Sequence, residues 1–258
     1  MRIRSLLAFV FILLPAPAAS QPQAVRADVR DVKPAVQQPA LPPLSPEERG
    51  DIFMARKMYR EAIEMYLSVK PPTAISYNKV GIAYHQTTDL ETARKYYEKS
   101  LKLNKNYPEA INNLGTIHYA QKSYRRAISY YKKALKFSPD SASIHSNLGT
   151  AYFARKDYKH ATEQYEVALK LDPDVFEHRS TQGVLLQERT VEERAKFHYY
   201  LAKTYAKAGR TELALQYIRK SLEEGFKERK RYLEDVEFEP LRALPEFEAL
   251  MKLEPRVL

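Results

Sequence analysis

The 258-residue chain has no cysteine and no tryptophan, and only seven glycines. Without cysteine there can be no disulfide framework, no thiolate zinc site, no cysteine nucleophile and no lipid attached through an N-terminal cysteine. The glycines are all isolated, so no glycine-rich phosphate loop is available. The six histidines, at 85, 118, 145, 160, 178 and 198, contain no pair three or four residues apart and no HExxH. No serine sits in a GxSxG elbow. The paired carboxylates, such as Glu47-Glu48 and Glu223-Glu224, fall near expected helix ends, and at an N-terminal end negative charge complements the helix dipole. The chain is therefore expected to have no catalytic residue, no metal site and no cofactor.

Long apolar runs are absent beyond the first twenty residues. Within those, Arg2 and Arg4 precede Leu6 to Leu14 (LLAFVFILL), and Pro15 to Ser20 (PAPAAS) supplies small residues suited to cleavage. The run would reach about 14 Å as a helix at about 1.5 Å per residue, half of a ~30 Å hydrocarbon core. Residues 1–20 thus read as a secretory signal, which implies a periplasmic or secreted protein with no membrane span in the mature chain. Residues 21–44 are rich in proline, glutamine and alanine, lack aromatics, and read as a disordered leader. The formal charge of +10 includes the two arginines of the signal. The surplus favours acidic partners or anionic surfaces. Charges alternate in sign along most helices, which argues against nucleic acid.

Periodicity dominates the remainder. Gly81, Gly115 and Gly149 are spaced by 34, as are Ala93, Ala127 and Ala161, and Tyr97, Tyr131 and Tyr165. Within each period Tyr77, Val80, Gly81 and Tyr84, then Ala93, Tyr96, Tyr97 and Leu101, follow helical spacing. Thr88-Asp89, Ser123 and Lys156-Asp157 suit the break between two helices, and Pro139 and Pro173 the junction to the next unit. Each unit is a helix pair that cannot bury its own apolar face, so neighbours must stack.

Leu114-Gly115, Ala127, Tyr131, Ala134 and Pro139, and still more fully Leu148-Gly149, Tyr152, Ala161, Tyr165, Ala168 and Pro173, resemble the signature of the tetratricopeptide repeat (TPR) family, in its bacterial secreted or periplasmic type. The resemblance implies an all-α fold, a right-handed α-α superhelical solenoid of TPR helix hairpins. Repeats are expected at about 43–73, 74–107, 108–141, 142–175 and 195–226, with an irregular insert at 176–194 in which Gly183 and Leu186 hint at one extra helix. Thr190 and Glu193 resemble a capping box for the last repeat. Residues 227–258, with Phe238, Leu241, Phe247 and Leu250, read as short capping helices. The basic run Lys227 to Arg231 reads as a solvated face or a patch for an anionic partner.

The same resemblance implies a concave groove lined by the first helix of each pair. Carried over residue by residue, its partner-binding positions are Asn78, Lys79 and His85, then Asn112, Asn113, Thr116 and Tyr119, then Asn147, Thr150 and Phe153, and last Tyr199 and Lys203. Asn113 and Asn147 stand out, because an amide offers a guest backbone both donor and acceptor. The expected function is a non-enzymatic adaptor outside the cytoplasm, associated with the envelope, holding an acidic or extended protein or peptide. The alternative is a binding protein for an anionic envelope polymer through a basic, tyrosine-rich face.

Overall fold

In the computed structural model, residues 43–177 and 190–253 are described; the signal-like segment, the leader before residue 43, and Gly183 and Leu186 lie outside them. The described residues are all helical, with no strand among them. Five hairpins follow in order. They are α1 (Pro46–Ala55) with α2 (Tyr59–Leu67), α3 (Ala74–Gln86) with α4 (Leu90–Leu103), α5 (Pro108–Ala120) with α6 (Tyr124–Leu135), α7 (Ala142–Ala154) with α8 (Tyr158–Leu171), and α9 (Val191–Lys207) with α10 (Thr211–Glu223). Each helix packs on the next along the stack. The expected all-α hairpin solenoid is the observed architecture.

One contact recurs inside the first four hairpins. A Cβ placed on Gly50, Gly81, Gly115 or Gly149 would stand 2.3, 2.5, 2.6 or 2.5 Å from Cε1 of Tyr66, Tyr97, Tyr131 or Tyr165. Glycine is required there for close approach, since the tyrosine ring lies directly against the backbone of the first helix. Tyr97, Tyr131 and Tyr165 are fully buried, as are the accompanying Ala93, Ala127 and Ala161. Interiors packed this tightly do not absorb an added methyl without side chains leaving their rotamers.

The turn inside each hairpin is also repeated. Lys57, Thr88, Lys122 and Lys156 have φ between 57° and 64°, and Gly209 has φ of 72°. In every case the residue after it donates its N–H back across the turn, as Asp89 does to the Tyr84 carbonyl (3.0 Å) and Ser123 to that of His118 (2.8 Å). This is the Schellman closure, whose left-handed residue is usually glycine; only the fifth hairpin supplies one. The second helices then start differently. Asp89 and Asp157 cap α4 and α8 through their side chains, whereas Ser123, expected to cap α6, makes no such bond.

The capping box at Thr190 and Glu193 forms, each residue bonding the other's N–H. Just before the break in the description, Phe176 sits edge-on to Tyr165, and Glu177 accepts from Tyr205 (3.3 Å) and Tyr217 (3.0 Å). After α10 come α11 (Arg231–Glu234), a 3-10 turn over 236–241 and α12 (Pro245–Met251). Tyr232, Phe238, Phe247 and Leu250 are buried against the last hairpin. Within the run 227–231, Arg229 and Arg231 serve this cap, while Lys227, Glu228 and Lys230 are exposed. Arg229 donates to the Met251 carbonyl, and Arg231 lies over the Tyr199 ring at 4.6 Å.

Gly149→Ala is expected to destabilise the chain by about 1–3 kcal/mol, because Tyr165 and the Ala161 carbonyl (3.1 Å) leave the new methyl nowhere to go. Urea unfolding followed by circular dichroism measures it. A Gly149→Ala protein as stable as the parent would show that the ring moves freely.

Candidate partner-binding site

The first helices of the hairpins carry polar residues on one face, and the structure joins them into a ladder. Asn113 donates from Nδ2 to Asn78 Oδ1 (3.0 Å), and Asn147 to Asn112 Oδ1 (3.1 Å). Asn112 in turn donates to its neighbour Asn113 (3.3 Å). In each cross-repeat bond the residue two before one glycine meets the residue three before the previous glycine. Lys79 obeys the same rule with a different chemistry. Its ammonium reaches Glu47 (2.8 Å), three before Gly50, and also Asp51 (2.7 Å). Burial pulls against the charge on Lys79, but the bonds from Asp51 and Glu47 hold its pKa above the ordinary lysine value.

A second row runs beside the first. The residue after each glycine receives the tyrosine that crosses that glycine. Tyr66 donates to Asp51 (2.8 Å), Tyr131 to Thr116 (3.3 Å) and Tyr165 to Thr150 (3.4 Å). In the second hairpin that residue is Ile82, and the Tyr97 hydroxyl lies instead 3.5 Å from His85 Nδ1.

These contacts revise the expected lining. Asn78, Asn112, Asn113 and Asn147 are only 2–4% exposed, and Thr116 and Thr150 are buried with them. The sequence alone places them as groove-facing amides open to a guest. Their first role is to register one hairpin on the next, because a buried amide must find a partner. Phe153 is likewise buried, packed edge-on against Tyr158, Phe197 and Tyr200. Lys79, His85 and Tyr119 remain half-buried at the surface of the same face.

At the far end the expected residues are taken up by the chain itself. Tyr199 is fully buried and donates to Asp235, while Lys203 reaches Asp235 (2.9 Å) and Glu237 (3.1 Å). Burial works against the Asp235 carboxylate, yet hydrogen bonds from Lys203 and Tyr199 and the charge of Arg231 keep its pKa below the usual range. Tyr199 stands three before Ala202, which replaces the glycine of this hairpin, so Asp235 occupies the rung a sixth repeat would have supplied. Sequence reading missed Asp235 and Glu237 because the tail follows no period. It missed Glu47 and Asp51 although the glycine register, once extended back to Gly50, points to both.

Among the described residues, two further histidines have structural surroundings. His145 bonds Gln164 (2.8 Å) and the Pro139 carbonyl (2.9 Å), and His118 rests on Tyr130. Among the described residues no group of three or more histidines, cysteines and acids could hold a metal, and no helix is long and apolar enough to cross a membrane.

Comparison with known proteins agrees with this architecture. Tetratricopeptide repeat models match residues 47–106 and 142–175, and a TPR repeat model matches 115–155. No curated protein matches the chain. Among solved structures, the APC/C hetero-tetramer Cut9–Hcn1 is similar at 19% identity and a TM-score of 0.51, over 80% of this chain and 35% of that one. Pseudomonas aeruginosa pilF is similar at 18% identity and a TM-score of 0.50, over 76% and 82%. MamA follows at 20% identity and 0.45, over 68% and 93%. At these identities the likeness is one of fold.

Two outcomes follow from the ladder and its neighbours. Asn113→Ala strands the Asn78 oxygen and an Asn112 N–H, and should cost about 1–3 kcal/mol in urea unfolding; no loss would mean that water replaces the amide. Burial also lowers the pKa of His85, and of His198 despite the nearby Glu224. The folded chain then holds fewer protons than the unfolded one, so stability is present above the ordinary histidine pKa of about 6.5 and declines as pH falls below it. Thermal melts from pH 7.5 to 5.5 should show a falling Tm, with a shallower fall in His85→Gln. A Tm that rose over that window would contradict the assignment.

Proposed function

The chain is a tetratricopeptide repeat protein across residues 47–106 and 115–175, and we propose that it is a non-enzymatic scaffold that holds an extended segment of a protein partner on its first-helix face. The observation that carries this reading is the row of polar side chains on α3, α5 and α7. Apolar contacts hold a stack of hairpins together without setting its register, and each buried amide is costly unless it is paired. Six polar residues on one face, in register, form fixed ribs rather than filler. Beside the ribs stand Lys79, His85 and Tyr119, half-buried and continuous with the ladder.

We place this activity outside the cytoplasm, in the periplasm or beyond. The support is the sequence of residues 1–20, with its two arginines, nine-residue apolar run and small-residue end. An acidic partner, and association with the envelope, accord with the formal charge of +10. The alternative of a tyrosine-rich face for an anionic polymer is less well supported, since Tyr97, Tyr131, Tyr165, Tyr199, Tyr205 and Tyr232 are all in the core.

Selection of binders from a random peptide display library against the chain tests the first part. Selected peptides should lose about tenfold or more in affinity to His85→Ala/Tyr119→Ala, with helicity unchanged, as expected when an aromatic anchor is removed. Equal affinity would reject the first-helix face. N-terminal sequencing of the protein from its native host tests the second part. A chain starting near residues 19–21 is expected, and retention of Met1 would reject export by cleavage.

A further inference from the structure

A different surface lies at the turns inside the third and fourth hairpins. Lys122, Ser123, Tyr124, Arg125, Arg126 and Arg155 line an open hollow of about 520 Å³ there. The four cations are exposed, and none of them forms an ion pair with a described residue. Several other arginines are paired, although Arg49, Arg56 and Arg219 form no ion pair with a described residue either. Arg94 meets Glu91 and Glu98, Arg194 meets Glu224, Arg210 meets Asp174, and Arg231 meets Asp235. Lys156 and Lys159 stand close in sequence to Arg155, and the acid among them, Asp157, is already taken by His160.

The backbone adds to the imbalance. The first turn of α6 holds Arg125 and Arg126 and no acid, although an acid there would complement the helix dipole. Like charges gathered on one edge repel one another, and they contribute nothing to packing while exposed. Their chemistry suits carboxylates, because guanidinium groups bind these bidentately. The cations are spread over two successive hairpins, a footprint longer than one compact anion requires.

We propose that this hollow is a second docking surface, which receives a glutamate- or aspartate-rich segment of a protein partner. It lies on the turn edge, and it stands independently of the first-helix face. Lys122 and Arg125–Arg126 engage one part of the segment and Arg155 the next, so that the segment bridges the third and fourth repeats. Electrostatic complementarity of this kind speeds encounter and sets preference among partners.

The test is fluorescence anisotropy of the full chain with a labelled peptide of alternating glutamate and serine, and with its glutamine–serine counterpart. The acidic peptide should bind and the neutral one should not, and binding should weaken as salt shortens the screening length. Arg125→Gln/Arg155→Gln should weaken the acidic peptide about tenfold, while the charge-matched Arg49→Gln/Arg56→Gln should change it less than about twofold. His85→Ala/Tyr119→Ala should leave it unchanged, which separates this surface from the first-helix face. Circular dichroism confirms folding of each variant. Equal losses in the two charge-matched variants would reduce the hollow to diffuse charge. Absence of acidic-peptide binding, or binding only to phosphatidylglycerol vesicles, would overturn the proposal.

Discussion

A tyrosine ring pressed on a glycine backbone sets the geometry of each of the first four hairpins. The contact brings the two helices close along one line, and the aromatic ring then fills the width that a larger residue would have opened. It also aims the phenol. The hydroxyl emerges one residue beyond the glycine, where Asp51, Thr116 and Thr150 accept it. One steric fact therefore fixes both the spacing of the pair and the position of a polar group at its edge. Where the acceptor is missing, at Ile82, the phenol turns to His85 and the same ring position holds. The packing is the stronger constraint, and the hydrogen bond adapts to it.

The stack then needs a device that sets one hairpin against the next, because apolar faces alone slide. Directional bonds from Lys79 to Glu47, Asn113 to Asn78 and Asn147 to Asn112 supply it. Ion pair and amide pair are interchangeable on this rung because each needs only a donor above and an acceptor below. The last rung is closed by Tyr199 and Asp235, where the tail folds back. An open end would leave Tyr199 and Phe226 without Tyr232 and Phe238 against them, so the cap completes the core and the ladder together. Terminal units in repeat proteins need such a covering.

Legibility in the sequence divides along the same line. The glycine, alanine and tyrosine positions recur at 34 because every hairpin solves the same packing problem, and the helical fold could be read from them directly. The ladder rests on pairs 35 residues apart, one off the period, so Asn78, Asn112, Asn113 and Asn147 could be placed on the right face but not matched to one another. Read singly, they look like free amides. Asp235 and Glu237 carry no periodic signal, and their meaning depends on a chain reversal that local spacing does not encode. The basic run at 227–231 is conspicuous in sequence, yet only Arg229 and Arg231 of it are taken up by the cap. The cations at 122, 125, 126 and 155 are scattered in sequence, and only the turn geometry gathers them.

A uniform scaffold also limits where selectivity can reside. Positions fixed by packing are the same in the first four repeats and cannot distinguish one guest from another. The variable rungs can. Two before the glycine the series runs Lys79, Asn113, Asn147, with Tyr200 in the last hairpin; one after it, Asp51, Ile82, Thr116, Thr150, with Lys203 in the last. Polarity therefore changes from charged at the first repeats, to neutral amide and hydroxyl in the middle, to aromatic and cationic at the end. The charged ends are internally neutralised, by Glu47 and Asp51 on one side and Asp235 and Glu237 on the other. The middle of that face carries buried neutral amides and hydroxyls that bond one another, so no charge is held there. Unpaired cations gather instead at the turns of the third and fourth hairpins, so the two faces of one stack differ in chemistry.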